Sequence, residues 1–299
     1  NAVFGSSSLR WPIPFGLWVY GGFEKYKDKK GVGRWIYDHM AKSPVLMSNV
    51  NVETRVKVAG NLLRDYGFFN GSVTHEIIPQ KDPKMEKITY VIDMGNPYYL
   101  DSIAWLKYPS KADSLIQTTR RKSVLKKGDN FSVLKLEEER QRISDLLRNN
   151  GYYYFRPDLT TFRADTLQKS GYVSLQVVPQ NGLPVEAKKQ YYIGKTSVYL
   201  TGYNGETPTD SLVFPSMTLH YHGKKPGIRP SALTRNFFYR RGELFSQDRQ
   251  TFTQEAIARM NVFKFAEFRY LPKDTTSTCD TLNVMVNATF DQPYDAELE

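Results

Sequence analysis

Leu62-Leu63-Arg64-Asp65-Tyr66-Gly67-Phe68-Phe69 returns 84 residues later as Leu146-Leu147-Arg148-Asn149-Asn150-Gly151-Tyr152-Tyr153, and a looser third copy reads Ile257-Ala258-Arg259-Met260-Asn261-Val262-Phe263. Each copy is the end of an amphipathic helix, a Gly or Asn stop, then aromatics entering an extended segment. Gly, and less often Asn, accepts the left-handed backbone that closes a helix, which accounts for the residue types at the stop. Self-similarity at this spacing marks an array of small modules.

Two strands follow each copy. The first lies at about 72–78, 158–163 and 266–271. The second alternates apolar and polar residues, as in Tyr172-Val173-Ser174-Leu175-Gln176-Val177-Val178, the pattern of a half-buried strand. A polar turn joins each pair, the first around Lys81-Asp82-Pro83. A leading strand opens the later modules, at Tyr98-Tyr99-Leu100 and again 93 residues on at Tyr191-Tyr192-Ile193. Between it and the signature helix the pattern predicts another helix, over about Asp113–Lys126 ended by Gly128, and from near Pro230 ended by Gly242. Matching phrases follow these stops: Gly128-Asp129-Asn130-Phe131-Ser132 and Gly242-Glu243-Leu244-Phe245-Ser246. The module therefore reads strand, helix, helix, strand, strand.

The signature helices carry apolar stripes at Val58, Leu62 and Leu63, at Ile143, Leu146 and Leu147, and at Phe252, Ala256 and Met260. Each is expected to pack on its own module's sheet. The first module, residues 1–95, lacks a leading strand and carries a Trp-rich stretch with Trp11, Trp18 and Trp35. The chain begins at Asn1-Ala2-Val3-Phe4, which suggests a start inside that module. Residues 96–183 and 184–290 form the second and third modules.

The chain of 299 residues holds one cysteine, Cys279, which rules out an internal disulfide framework. Lys and Arg number 41 against 31 Asp and Glu. The excess is spread along the chain, where a nucleic-acid surface concentrates it; mild positive charge also suits anionic lipid head groups. No apolar run reaches the 18 or so residues of a membrane helix.

The chemistry-bearing candidates read as structural. His220-x-His222 places two imidazoles on one side of a strand, without a third ligand nearby, and reads as a polar strand edge rather than a zinc site. Cys279 reads as an isolated thiol beside a turn. Glu137-Glu138-Glu139 with Arg140 and Arg142 reads as a solvated helix start, acids on the positive end of the dipole and Arg one turn on. Tyr152, Tyr153, Tyr154 and Phe155 would stack bases on a single-strand binding sheet; as a strand entry they alternate between core and surface. No catalytic, cofactor-binding or metal-binding set is expected, and nucleic acid is not expected as a partner.

These phrases resemble tandem POTRA domains of the outer-membrane β-barrel assembly and translocation family, the BamA/TamA or bacterial surface antigen type. The region from Leu219 to Arg235, with Gly223-Lys224-Lys225-Pro226-Gly227, together with the Trp-rich early stretch, resembles members of this family from Bacteroidetes-type bacteria. The resemblance implies an α+β fold in which each module is a three-stranded mixed sheet covered by two helices. It implies a non-enzymatic arm at the periplasmic face of the bacterial outer membrane, without a cofactor. Its partners would be unfolded outer-membrane proteins, accessory assembly subunits, and its own C-terminal membrane β-barrel, whose first strand the ending Asp291–Glu299 resembles. Such an arm would bind extended chains by pairing along an exposed strand edge. The resemblance points to the second strand of each module, with candidates Val73, Thr74, His75 and Glu76; Leu159, Thr160, Thr161 and Phe162; and Glu267, Phe268, Arg269 and Tyr270. The connector Gln180–Gln190, with Gly182 and Pro184, is a candidate hinge or else a rigid elbow. A dedicated passenger transporter is the alternative within the family, and a basic nucleic-acid-binding α+β array the alternative outside it.

Overall fold

In a computed structural model of the chain the described residues are 15–42, 50–79, 86–276 and 278–292. The start at Asn1, Trp11, the turn around Lys81-Asp82-Pro83 and the ending from Pro293 lie outside them, as does the side chain of Trp18. Two compact units result. One holds residues up to Leu62 together with Gly71–Asp93, and the other holds Leu63–Asn70 with Met94 onward.

In the first unit α1 (Phe15–Phe23) and α2 (Val32–Met40) form a hairpin through a 3-10 turn at Glu24–Tyr26. The Lys42 amide returns to the Gly16 carbonyl at 2.9 Å. Helix α3 (Val52–Asp65) begins here, and β1 (Ser72–Pro79) pairs antiparallel with β2 (Glu86–Asp93), from Ser72 opposite Asp93 to Pro79 opposite Glu86. The stripe expected to pack on this sheet does not: Val58 is 60% exposed and Leu62 54%. A two-stranded ribbon offers too little apolar floor to cover a helix face, and neither β1 nor β2 buries a residue fully.

The second unit contains the expected strand–helix–helix–strand–strand order twice. In the first instance β3 (Tyr99–Trp105), α4 (Ser110–Thr118), α5 (Val133–Arg148), β4 (Thr160–Asp165) and β5 (Tyr172–Pro179) build a sheet in the order β3-β5-β4. Here β3 runs parallel and β4 antiparallel to β5. In the second, β6 (Tyr192–Thr201), β7 (Asp210–Val213), β8 (Thr218–Tyr221), α6 (Pro230–Arg235), α7 (Gln247–Arg259), β9 (Phe263–Pro272) and β10 (Thr281–Phe290) follow. The sheet order is β7-β8-β6-β10-β9. The β7–β8 hairpin is inserted between the opening strand and the first helix and widens the expected three strands to five. It puts His220 inside the sheet, its ring stacked on Tyr199 at 4.3 Å.

The cores follow the periodicity in part. Ile143 and Leu147 of α5 are fully buried against Val173, Leu175 and Val177 of β5, with Leu146 packed beside them. Each such side chain contributes about 1.5–3 kcal/mol. In α7 the buried face is Thr253 and Ile257, whereas Phe252 is 55% exposed. Thr253 tolerates burial because its hydroxyl accepts the Phe238 N–H and donates to the Arg249 carbonyl. Both first helices also end well before the expected glycines. Hydroxyls of Thr118 and Thr119 turn back onto the carbonyls of Ser114, Leu115 and Ile116 and close α4 there. Glu139, expected at a solvated helix start, is fully buried. It shares the inward face with Leu136 and Ile143, accepts the Val124 N–H, and is held by Arg142.

The three repeated phrases meet at the junctions. Gly67 and Gly151 close their helices with positive φ, 86° and 95°. Their carbonyls then accept the amides of Tyr98 and Tyr191 at 2.9 and 2.8 Å. Those opening strands in turn clasp the interhelix phrases: Gly128 donates to Leu100 and Phe131 to Tyr98, as Gly242 donates to Ile193 and Phe245 to Tyr191. Gly128 and Gly242 are thus strand-pairing turns, not helix caps. Asn149 adds a link across the second junction, its Oδ1 accepting from the Ser246 hydroxyl and the Asp248 amide at the start of α7.

A Cβ at Gly67 would lie 2.7 Å from the Phe131 carbonyl oxygen, and one at Gly151 would lie 2.9 Å from Leu244 Cδ2, whereas Gly128 has open space. Gly128→Ala is therefore expected to cost only the left-handed backbone term, about 1–2 kcal/mol. Gly151→Ala should cost somewhat more, and Gly67→Ala, which meets rigid backbone, the most. Urea unfolding midpoints of the three variants order them.

Candidate peptide-binding edges

Strand alternation decides which backbone groups of an edge strand face outward. On β4 the Gln180 amide donates to the Leu159 carbonyl, and the register pairs Thr161 with Val178 and Arg163 with Gln176. Thr161 and Arg163 therefore point their backbone groups at β5, and Thr160, Phe162 and Ala164 point theirs outward. Leu159, expected in the strand, instead closes a 3-10 turn at Pro157–Leu159 and is buried. The Thr160 carbonyl is occupied by Arg140 Nε at 2.9 Å, and its hydroxyl accepts from Tyr108 at 3.1 Å. Burial pushes the Tyr108 phenol up to about 12, against the opposing Thr160 hydrogen bond. The Arg140 guanidinium also lies over the Phe162 ring at 5.4 Å. The open part of this edge thus begins at Phe162 and runs to Ala164.

On β9 the Lys273 amide donates to Thr281, and Arg269 lies opposite Met285. By the same alternation Glu267 and Arg269 pair with β10, and Phe268 and Tyr270 face outward. Pro272, which lacks an N–H, blunts the end of this edge. The side chains divide the other way. Glu267 and Arg269 form an exposed ion pair at 2.8 Å, and the bond from Arg269 holds the Glu267 carboxyl below its usual range. Tyr270 is buried and meets Tyr153 of the preceding module at 5.7 Å and Phe245 at 5.7 Å. Tyr152 and Phe155 are likewise buried, and Tyr154 packs edge-on to Tyr191 at 5.2 Å. The aromatic run after Gly151 is thereby committed to core and junction.

On β1, Val73 and His75 are half-buried and Thr74 and Glu76 exposed, alternating across the ribbon. The connector makes several contacts of its own. Gly182 turns with φ 75°, Leu183 and Ala187 are buried in the core of the second module, and the Ala187 amide returns to Pro184. Lys189 Nζ donates to the Cys279 carbonyl across the next module. Cys279 itself is buried, its thiol directed at the Thr281 carbonyl.

The third signature copy has the left-handed backbone at Asn261, with φ 50°. It opens onto a cleft of about 550 Å³ lined among others by Val262, Phe290, His222, Lys225 and Tyr203. At the two earlier copies this position is filled by the next module's opening strand. Among the described residues no group of His, Cys, Asp and Glu could hold a metal, and no helix is long and apolar enough to cross a membrane.

Burial raises the phenol pKa values of Tyr153, Tyr239 and Tyr270 above the ordinary value near 10. The folded state then keeps its protons where the unfolded chain releases them. Stability is fully present below about pH 10 and falls as pH rises through and beyond it. Urea midpoints followed from pH 8 to about 12 should decline above about 10, together with tyrosinate absorbance, and Tyr270→Phe should flatten the decline.

No protein-family model and no curated protein matches the chain. Among solved structures it is similar to POTRA3–5 of Haemophilus influenzae BamA, at 12% identity over 88% of this chain and 92% of that one, TM-score 0.46. It is also similar to Haemophilus ducreyi BamA lacking POTRA domains 1–3, at 14% identity over 65% of this chain and 30% of that one, TM-score 0.45. A third match is the N-terminal domain of Omp85 from Thermosynechococcus elongatus, at 14% identity, 87% and 92% coverage, TM-score 0.29. The chain thus spans under a third of the ducreyi protein. The strand order and register of the second and third modules are described from the chain's own pairings.

Proposed function

We propose that the chain is the non-enzymatic periplasmic POTRA arm of an outer-membrane assembly or translocation protein. Its role is to receive unfolded β-barrel precursors or accessory subunits by strand pairing and to deliver them to a membrane barrel. The observation that carries this reading is the pair of outward backbone rows at Phe162–Ala164 and Phe268–Tyr270. They lie on successive modules whose junction is fixed by backbone hydrogen bonds and packed rings. Strand pairing engages main-chain groups, so one edge serves clients of many sequences. The cleft at Asn261 supports a further element seated after the third module, the place the membrane barrel takes in this reading.

The test is a titration with an unfolded barrel-strand peptide against proline variants chosen by direction. Phe162→Pro and Phe268→Pro remove outward donors and leave the internal ladder intact. Loss of binding in either, with circular dichroism unchanged, locates a client edge. Equal binding by both variants excludes these two edges.

A further inference from the structure

The other edge of the second module is open in a way that the third module explains. The bridges Tyr99–Asn130 and Tyr192–Leu244 align the two opening strands. Their parallel partners extend the alignment: Trp105 lies opposite Val177, and Val198 opposite Val286. In the third module the outer side of this strand is covered in cis by β8, which runs parallel with Val198 opposite Leu219. In the second module β3 is the last strand of its sheet. The Leu106 amide donates inward to Val177, so alternation sends the backbone groups of Ile103 and Trp105 outward.

Two features mark this edge as prepared for an occupant. The outward Ile103 carbonyl is held by Arg120 Nη2 at 3.2 Å, a side chain standing where a neighbouring strand's N–H would be. Beside it lies a groove of about 400 Å³, lined by Asp101, Ser102, Ile103, Trp105, Arg120 and Lys127 among others. The surroundings are strongly basic: from Ser102 to Lys127 the chain carries seven Lys or Arg and one acidic residue, Asp113. Arg120, Arg121, Lys122, Lys126 and Lys127 are all exposed. The nearby Asp101 is already bracketed by Lys127 at 4.0 Å and Lys169 at 3.6 Å.

We infer that the β3 edge of the second module binds an extended acidic segment of a partner chain, added parallel to β3 as β8 is added to β6. The incoming N–H replaces Arg120 at the Ile103 carbonyl, and the released guanidinium, with its basic neighbours, pairs with the segment's carboxylates. This site is independent of the β4 and β9 edges, so its failure leaves that reading intact, and the reverse holds.

The probe is a labelled peptide carrying Met-Thr-Leu-His-Tyr, the β8 sequence with the residue before it, between pairs of glutamates, titrated against the whole chain by fluorescence anisotropy. Amide hydrogen exchange is read in parallel. The expected result is saturable binding with slowed exchange at Ile103 and Trp105. Affinity should fall about tenfold or more in Arg120→Glu/Lys127→Glu, and similarly when the peptide's central Leu is replaced by Pro or its glutamates by lysines. The proposal is overturned if the proline peptide binds as well, or if protection appears on β4, β7 or β9 instead. It is equally overturned if the lysine-flanked peptide binds as well, or if the basic run captures duplex DNA or anionic vesicles while the glutamate peptide fails to bind.

Discussion

The hydrogen bond from the Tyr191 amide to the Gly151 carbonyl, 2.8 Å long, is the contact on which the organisation of the second unit turns. It requires a left-handed residue at the end of α5, because only that turn points the carbonyl away from the helix and toward the next strand. It also requires that residue to lack a side chain, since Leu244 and Gln190 crowd the position. The bond itself contributes about 0.5–1.5 kcal/mol. Its larger effect is placement. It brings Tyr153 and Tyr154 against Phe245, Tyr270 and Tyr191, and each such ring pair contributes about 0.5–1.5 kcal/mol beyond its burial. Backbone fixes the register and rings supply most of the energy.

A second constraint sits inside the module. Glu139 is buried beneath the loop that joins α4 to α5. Two interactions make this tolerable: the bidentate contact from Arg142 and the Val124 amide. Removing either partner strands a charge in a low-dielectric core, where unpaired burial costs several kcal/mol. The loop carrying the basic run is thereby clamped at its middle, and Arg120 is held near β3.

The repeat made the modules legible, because helix stops, aromatic entries and alternating strands each have a local physical cause. The strand–helix–helix–strand–strand order and the inward face of α5 follow from residues a few positions apart. What the sequence concealed depends on partners far along the chain. Gly128 and Gly242 look like helix stops, and their pairing with opening strands some 30 to 50 residues earlier carries no local mark. Phe252 has the spacing of a core residue, but a hydroxyl at Thr253 able to bond within its own helix made the neighbouring face the buried one. The edge strands were placed within a few residues. Which backbone groups point outward, and that Arg140 already occupies Thr160, depend on register, which a one-residue slip inverts. The β7–β8 insertion has no counterpart among the described residues of the other modules, so the repeat offered no template for it.

The first and second modules end in a socket, the glycine carbonyl with its following aromatics, and the second and third begin with a plug, the tyrosine pair with its bound interhelix turn. The sockets at Gly67 and Gly151 are built alike, and so are the plugs at Tyr98 and Tyr191. Polarity follows, since a plug cannot mate with a plug and the modules add only head to tail. A plug from a second molecule would meet the same kind of glycine carbonyl, the condition for domain swapping in repeat proteins. The short connector that buries Leu183 and Ala187 works against this, keeping the resident plug beside its socket at a high local concentration.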